Sequence, residues 1–153
     1  MKIDELLDRE GIRETLARYN LAGDRGQIDE LAGCFVEDAV LEVEGAWRAH
    51  GREEIRRQTG ATAVAASASR RGPLMRHHLT TQGIELDREG GARAWSYFLV
   101  VSEIGPDHAG RYIDRLRRVD GRWQIEHRRV VVEWQSPDTA YPVLQAAPGR
   151  GPS

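Results

Sequence analysis

Apolar residues recur along residues 3–23 at three- to five-residue steps: Leu6, Leu7, Ile12, Leu16, Tyr19 and Ala22. Such spacing places them on one side of an amphipathic helix. Two glycines in Gly23-Asp24-Arg25-Gly26 lower helix propensity and predict its end. Residues 27–35 predict a second, short helix with Ile28, Leu31, Ala32 and Phe35 on one face. Residues 39–43 then alternate and carry β-branched side chains, which predicts a strand. Gly45 turns it into a second short strand around Trp47, and residues 51–57 open a third helix. The Ala/Ser/Thr-rich stretch at 59–69 is weakly patterned and reads either as an extension of that helix or as a mobile segment.

From Leu74 the pattern is mostly that of strands, at 75–87, 92–104, 111–119 and 122–135. Asp87-Arg88-Glu89-Gly90-Gly91 and Gly105-Pro106-Asp107-His108-Ala109-Gly110 read as the connections, and Asp120-Gly121 is a strong two-residue hairpin signal. Long hairpin-linked strands after a helical N-terminal half predict an α+β domain, with helices packed on one face of an antiparallel or mixed sheet. Residues 1–140 are expected to form that domain, and 141–153, rich in Pro and Gly, a flexible tail.

Length agrees with one domain: 153 residues bury roughly 70% of the unfolded surface without staples. The formal net charge of −2 argues against nucleic acid or an anionic membrane as the main partner. Cys34 is the single cysteine, which excludes an intramolecular disulfide and a Cys-rich zinc site. The opening Met1-Lys2-Ile3-Asp4-Glu5 precedes no apolar signal core, and no apolar run reaches the length of a membrane span. The expected location is the cytoplasm.

Four stretches in this order resemble the SnoaL-like branch of the NTF2-like superfamily. They are Ala17-Arg18-Tyr19-Asn20-Leu21-Ala22-Gly23-Asp24 at the end of the first helix, and Phe35-Val36-Glu37-Asp38-Ala39-Val40-Leu41-Glu42 at the entry to the first strand. Gly51-Arg52-Glu53-Glu54-Ile55 resembles the family's third helix start, and Asp120-Gly121-Arg122-Trp123-Gln124-Ile125 its last hairpin. The resemblance implies a cone in which a curved sheet and the N-terminal helices enclose one small-molecule pocket. Family members include dehydratases, a dehydrochlorinase, polyketide cyclases and steroid isomerases that work without metal or cofactor. Others are partner subunits with no catalytic centre, so fold alone does not set the activity.

Candidate chemistry follows from the same matches. Asp24 corresponds to the family aspartate that orients a histidine base, although beside Gly23 it also reads as an ordinary turn residue. His77 and His78 point to opposite faces of a strand, so only one enters the pocket. The family pattern, a histidine followed by a polar stretch and then Ile84-Glu85-Leu86-Asp87, matches His78. Histidine takes a proton near neutrality, and a carboxylate on its far nitrogen fixes the tautomer and stabilises the imidazolium. Tyr19 is expected as a hydrogen-bond donor to a substrate oxygen, or else as a core aromatic. Arg128 corresponds to a family arginine that stabilises a departing anion, or else belongs to an exposed basic stripe with His127 and Arg129 on the other face. Phe98, Tyr112 and Trp47 are the expected substrate-binding aromatics, while His50 and His108, near turns, read as surface.

These expectations assemble into a cofactor-independent and metal-independent lyase or isomerase of the dehydratase or cyclase type. It would act on a small, largely apolar oxygenated metabolite by His/Asp acid–base catalysis. A non-catalytic binding or partner-subunit module and an epoxide-hydrolase-like variant are the alternatives. Apolar and aromatic residues away from the pocket, among them Trp95, Val131 and Trp134, predict a homo-oligomer, a dimer or a trimer.

Overall fold

The computed structural model describes residues 1–67 and 74–140. The elements are α1 (Ile3–Asp24), α2 (Ile28–Gly33), β1 (Phe35–Val43), β2 (Trp47–His50), α3 (Arg52–Ser67), β3 (Met75–Leu86), β4 (Gly91–Ser102), β5 (Gly105–Val119) and β6 (Arg122–Gln135). The weakly patterned stretch continues α3 as far as Ser67. Residues 68–73, and the tail at 141–153 with its expected flexibility, lie outside the described residues.

The strands form one six-stranded mixed sheet in the order β2-β1-β6-β5-β4-β3. Hairpins make β3 to β6 antiparallel, and the chain's first strand then docks parallel to its last, β1 against β6. Asp120 and Gly121 take positive φ values of 50° and 77°, as a tight hairpin turn between twisted strands requires. The helices cover one face of the curved sheet. Ile12 and Leu16 of α1, Phe35 and Leu41 of β1, Ile55 of α3 and Ile125 of β6 meet in its fully buried core. Polar fasteners register α1 on the sheet. The Thr15 hydroxyl donates to the Trp123 carbonyl at 2.7 Å, the Trp123 indole donates to Asp8 at 3.1 Å, and Arg9 reaches the Ile84 carbonyl at 2.6 Å.

The sheet departs from simple alternation at several bulges, and these decide which side chains face the helices. In β3 the partners of Leu79 and Gln82 are Phe98 and Ser96, so three steps on β3 oppose two on β4. In β6, Arg115 pairs with His127 but Leu116 with Ile125, which leaves Glu126 as the extra residue. In β5, Val100 pairs with His108 and Val101 with Pro106, leaving Asp107 unpaired. The sequence expected a connection at 105–110. The structure instead makes the turn at Glu103 and Ile104, with Gly105 at a φ of 88°, and begins β5 there.

A further bulge lies at Gly110, where β5 and β6 approach closely. A Cβ at Gly110 would sit 1.9 Å from the Val131 carbonyl oxygen, a backbone atom that no rotamer change can move. Gly110→Ala is expected to cost about 1–3 kcal/mol or more through forced separation of the two strands. Urea unfolding should show a lower midpoint with an unchanged slope; a wild-type midpoint would mean that the bulge relaxes freely.

Candidate active site

The helices and the concave face of the sheet enclose a cavity of about 430 Å³, a size suited to one small organic molecule. Its walls are mostly apolar: Ile28 and Leu31 of α2, Leu41 and Val43 of β1, Trp47 of β2, Met75 of β3, and Val130 and Val132 of β6. Phe98 and Tyr112 line it as a stacked pair with centroids 4.7 Å apart. Trp47, Phe98 and Tyr112 therefore all lie on the cavity wall. Polar function enters this apolar space from Tyr19, Asp24, Arg25, Thr59, Thr62, His77 and His108.

Asp24, the last residue of α1, meets β3 at its open edge. Its Oδ2 accepts the His77 backbone N–H at 3.0 Å, and its Oδ1 lies 2.6 Å from His77 Nδ1. An edge strand presents N–H groups that no neighbouring strand can pair. One carboxylate here satisfies such a group and grips the ring of the same residue. Because a carboxylate only accepts, the ring proton sits on Nδ1 and leaves Nε2 as the basic atom. The side chains of His77 and Asp24 are only 19% and 8% exposed.

The expected base, His78, is exposed and absent from the cavity wall. The bulge after Leu79 is the cause. Counting back by twos from the inward Ile84 and Leu86 reaches His78, but the extra residue shifts the phase, so Met75, His77 and Leu79 face inward. Apolar Met75 and Leu79 two positions either side of His77, against Arg76 and Thr80 around His78, carry that signal in the sequence.

Arg128 faces inward as expected, but it is neither an exposed stripe nor part of the cavity wall. It is completely buried, and its Nε and Nη2 each donate at 2.8 Å to the two carboxylate oxygens of Asp114, directly across the β5–β6 pair. Its guanidinium lies over the rings of Tyr19 and Tyr112, 4.2 and 4.1 Å from their centroids. Nη1 has no hydrogen-bond partner among the described residues. Burial disfavours its charge, but Asp114 outweighs this and holds the pKa above the usual arginine value. Burial pushes both phenols up, against the opposing effect of Arg128, so Tyr19 and Tyr112 are neutral donors. The Tyr112 hydroxyl donates to Asn20 Oδ1 at 3.3 Å. Flanking His127 and Arg129 turn to the other face and pair with Glu42 and Glu44.

His108 was read as a surface turn residue and is buried, as is Asp107 beside it. The bulge explains how two successive residues both turn inward. His108 Nδ1 lies 2.7 Å from Asp107 Oδ1, and Asp107 also accepts the Ser102 and Thr139 hydroxyls at 2.8 and 2.5 Å. No local sequence signal separates this pair from turn composition. Among the described residues, no three His, Cys, Asp or Glu side chains converge as metal ligands.

An α+β cone with an internal, largely apolar cavity and an anchored histidine on its wall defines a class of small-molecule pocket proteins. The chain belongs to the SnoaL-like domain family, whose model matches residues 4–129. Solved structures agree. A protein of unknown function from Mycobacterium tuberculosis is 29% identical, with 85% of this chain and 74% of that one covered and a TM-score of 0.73. A scytalone dehydratase candidate from Novosphingobium aromaticivorans, 22% identical, covers 89% and 91% at a TM-score of 0.76. LinA, 19% identical, covers 88% and 92%, also at 0.76, and these last two likenesses speak for the fold. No curated protein matches this chain.

Breaking the buried ion pair from one side leaves a charge without compensation. Arg128→Ala or Asp114→Ala is expected to cost about 3–5 kcal/mol. Replacing both with apolar residues of similar volume should cost less than either single change. Denaturant unfolding of the three variants checks the order; additive single losses would place the stabilisation elsewhere.

Proposed function

We propose that the chain is a cofactor-independent lyase or isomerase acting on a small, largely apolar, oxygenated molecule. The observation that supports this most is the His77–Asp24 pair on the wall of an apolar cavity. In the proposed chemistry His77 Nε2 removes a proton from carbon beside a carbonyl, and Asp24 stabilises the imidazolium that forms. Tyr19, neutral and on the cavity wall, donates a hydrogen bond to the oxygen on which negative charge develops. Arg128 takes a different part from the one the resemblance implies. It touches no cavity space and acts through the two tyrosine rings it lies between, as a positioning residue.

Aryl β-hydroxy ketones are suitable probes, because loss of water yields a conjugated enone read by ultraviolet absorbance. Against a probe that turns over, His77→Ala should lose about 10²–10⁴-fold, the usual span of general-base catalysis. Asp24→Asn should lose a similar factor through the wrong tautomer, and the double variant should be little worse than His77→Ala. His78→Ala should retain the wild-type rate. Normal turnover by His77→Ala would move the chemistry elsewhere.

We further propose a homo-oligomer formed through the outer face of the sheet, where Trp95, Tyr97 and Trp134 are 38%, 54% and 47% exposed. The expected contact buries more than about 1,000 Å² in total. Sedimentation at micromolar protein should give a dimer or trimer; a monomer would reject the contact.

A further inference from the structure

The cavity carries a second histidine that the proposed chemistry leaves unused. His108 on β5 and His77 on β3 flank β4 and face the same space, with ring centroids 6.4 Å apart at an interplanar angle of 84°. Both are held in the same way, by a carboxylate at Nδ1 2.6 to 2.7 Å away. Such anchoring puts the ring proton on Nδ1 in each and makes Nε2 the atom that gains and loses a proton. A histidine kept only for packing needs no such carboxylate, itself held by two hydroxyls, those of Ser102 and Thr139.

We propose that His77 and His108 form a coupled proton-transfer pair that holds one proton between them, one ring taking a proton from substrate and the other delivering one to it on the same face. This rests on the reading of His77 as base. The reaction starts from the form of the pair with neutral His77 and protonated His108, a form that burial of His108 disfavours. His77 Nε2 takes the proton from carbon, and the C–H electrons become the new C=C bond. The C–O bond to the leaving hydroxyl breaks toward oxygen, and that oxygen takes the proton from His108 Nε2 and leaves as water. The pair ends as protonated His77 and neutral His108, and exchange with solvent resets it. One ring is charged throughout, so two cations never face each other across the gap. The substrate class is a β-hydroxy carbonyl compound whose C–H and C–O bonds point to the same wall.

Among the described residues, the titratable or charged groups around His108 are Asp107 on its own strand, His77 on β3 with Asp24 of α1 behind it, and Tyr112, Tyr19 and Arg25 on the same cavity wall. Its strand partners Val100 and Gln135, and Phe98 with its ring centroid 6.1 Å away, are neutral. Burial lowers the His108 pKa below its usual 6.5; Asp107 opposes this and His77 adds to it, so its imidazolium is a strong acid when formed.

The test is nitrogen-15 NMR of the imidazoles in the full chain, titrated with pH. In the wild type, both His77 and His108 should show the Nδ1–H tautomer when neutral. In His77→Gln the midpoint of His108 should rise by about half a unit to two units, the range set by two charges at this separation in effective dielectrics of 80 and 20. An Nε2–H tautomer at His108, or a midpoint unmoved by His77→Gln, overturns the pair and leaves His77 as a lone base. An Nε2–H tautomer at His77 instead overturns the base assignment itself. The tautomer measurement needs no variant, so a poorly folded mutant does not remove the test.

Discussion

Taking a guanidinium wholly out of water costs several kcal/mol, and the structure around Arg128 is arranged to offset that cost. Asp114 supplies an opposite charge with two parallel hydrogen bonds, the geometry in which an arginine–carboxylate pair is strongest. The faces of Tyr19 and Tyr112 supply electron density on the remaining surfaces. Each contribution comes from a different place: Arg128 from β6, Asp114 and Tyr112 from β5, and Tyr19 from α1. The cation is therefore satisfied only when α1 lies in one position on the sheet. Asp24 follows Tyr19 by little more than one helical turn, so fixing Tyr19 also fixes the carboxylate that meets His77. The interaction that closes the fold thus sets the site.

The second constraint is the phase of each strand. A strand without bulges sends alternate residues inward, which suits an apolar wall but not a wall of chosen polar groups. The extra residues in β3, β5 and β6 reset that phase where chemistry-bearing side chains occur. In β3 the reset lets His77 share a face with Ile84 without being an even number of residues from it. In β6 it turns Arg128 inward although Trp123 and Ile125 are inward too. In β5 it lets Asp107 and His108 both enter the interior. One-residue slips would exchange His77 for His78 and Arg128 for His127 or Arg129.

Much of the fold was legible in the sequence. The long periodicity of α1, the alternation of β4 and the Asp120-Gly121 turn are local signals in which each residue's preference agrees with its final environment. Asp24, Tyr19, Trp47, Phe98 and Tyr112 reach the cavity wall where they were expected. The failures share a cause. His78 was chosen by its match to the family pattern without knowledge of the bulge after Leu79, Arg128 was placed without knowledge of Asp114 across the ladder, and His108 was set in a turn whose residues belong to β5. A bulge changes register through backbone geometry, and no side-chain preference at Thr80, Asp107 or Glu126 announces it. The paired side chains are fourteen residues apart for Arg128 and Asp114, and fifty-three for Asp24 and His77. Local patterning carries no information at those distances.

The charges suit the proposed reaction better than they suit a bound anion at rest. Before any proton moves, Arg128 is compensated by Asp114 and lies behind the tyrosine rings, so it offers no bare charge to an anion in the cavity. In the proposed reaction the positive charge on His77 is met by Asp24, and the negative charge on the substrate by the neutral phenol of Tyr19. Tyr19 can strengthen its hydrogen bond to that oxygen without losing its own proton, because burial keeps its pKa high. The stabilising interactions are thus larger after charge separation than before it, which is the condition for lowering a barrier rather than tightening binding. An anionic inhibitor resembling the enolate should for the same reason bind the protonated His77 state more tightly than a neutral substrate binds the resting one.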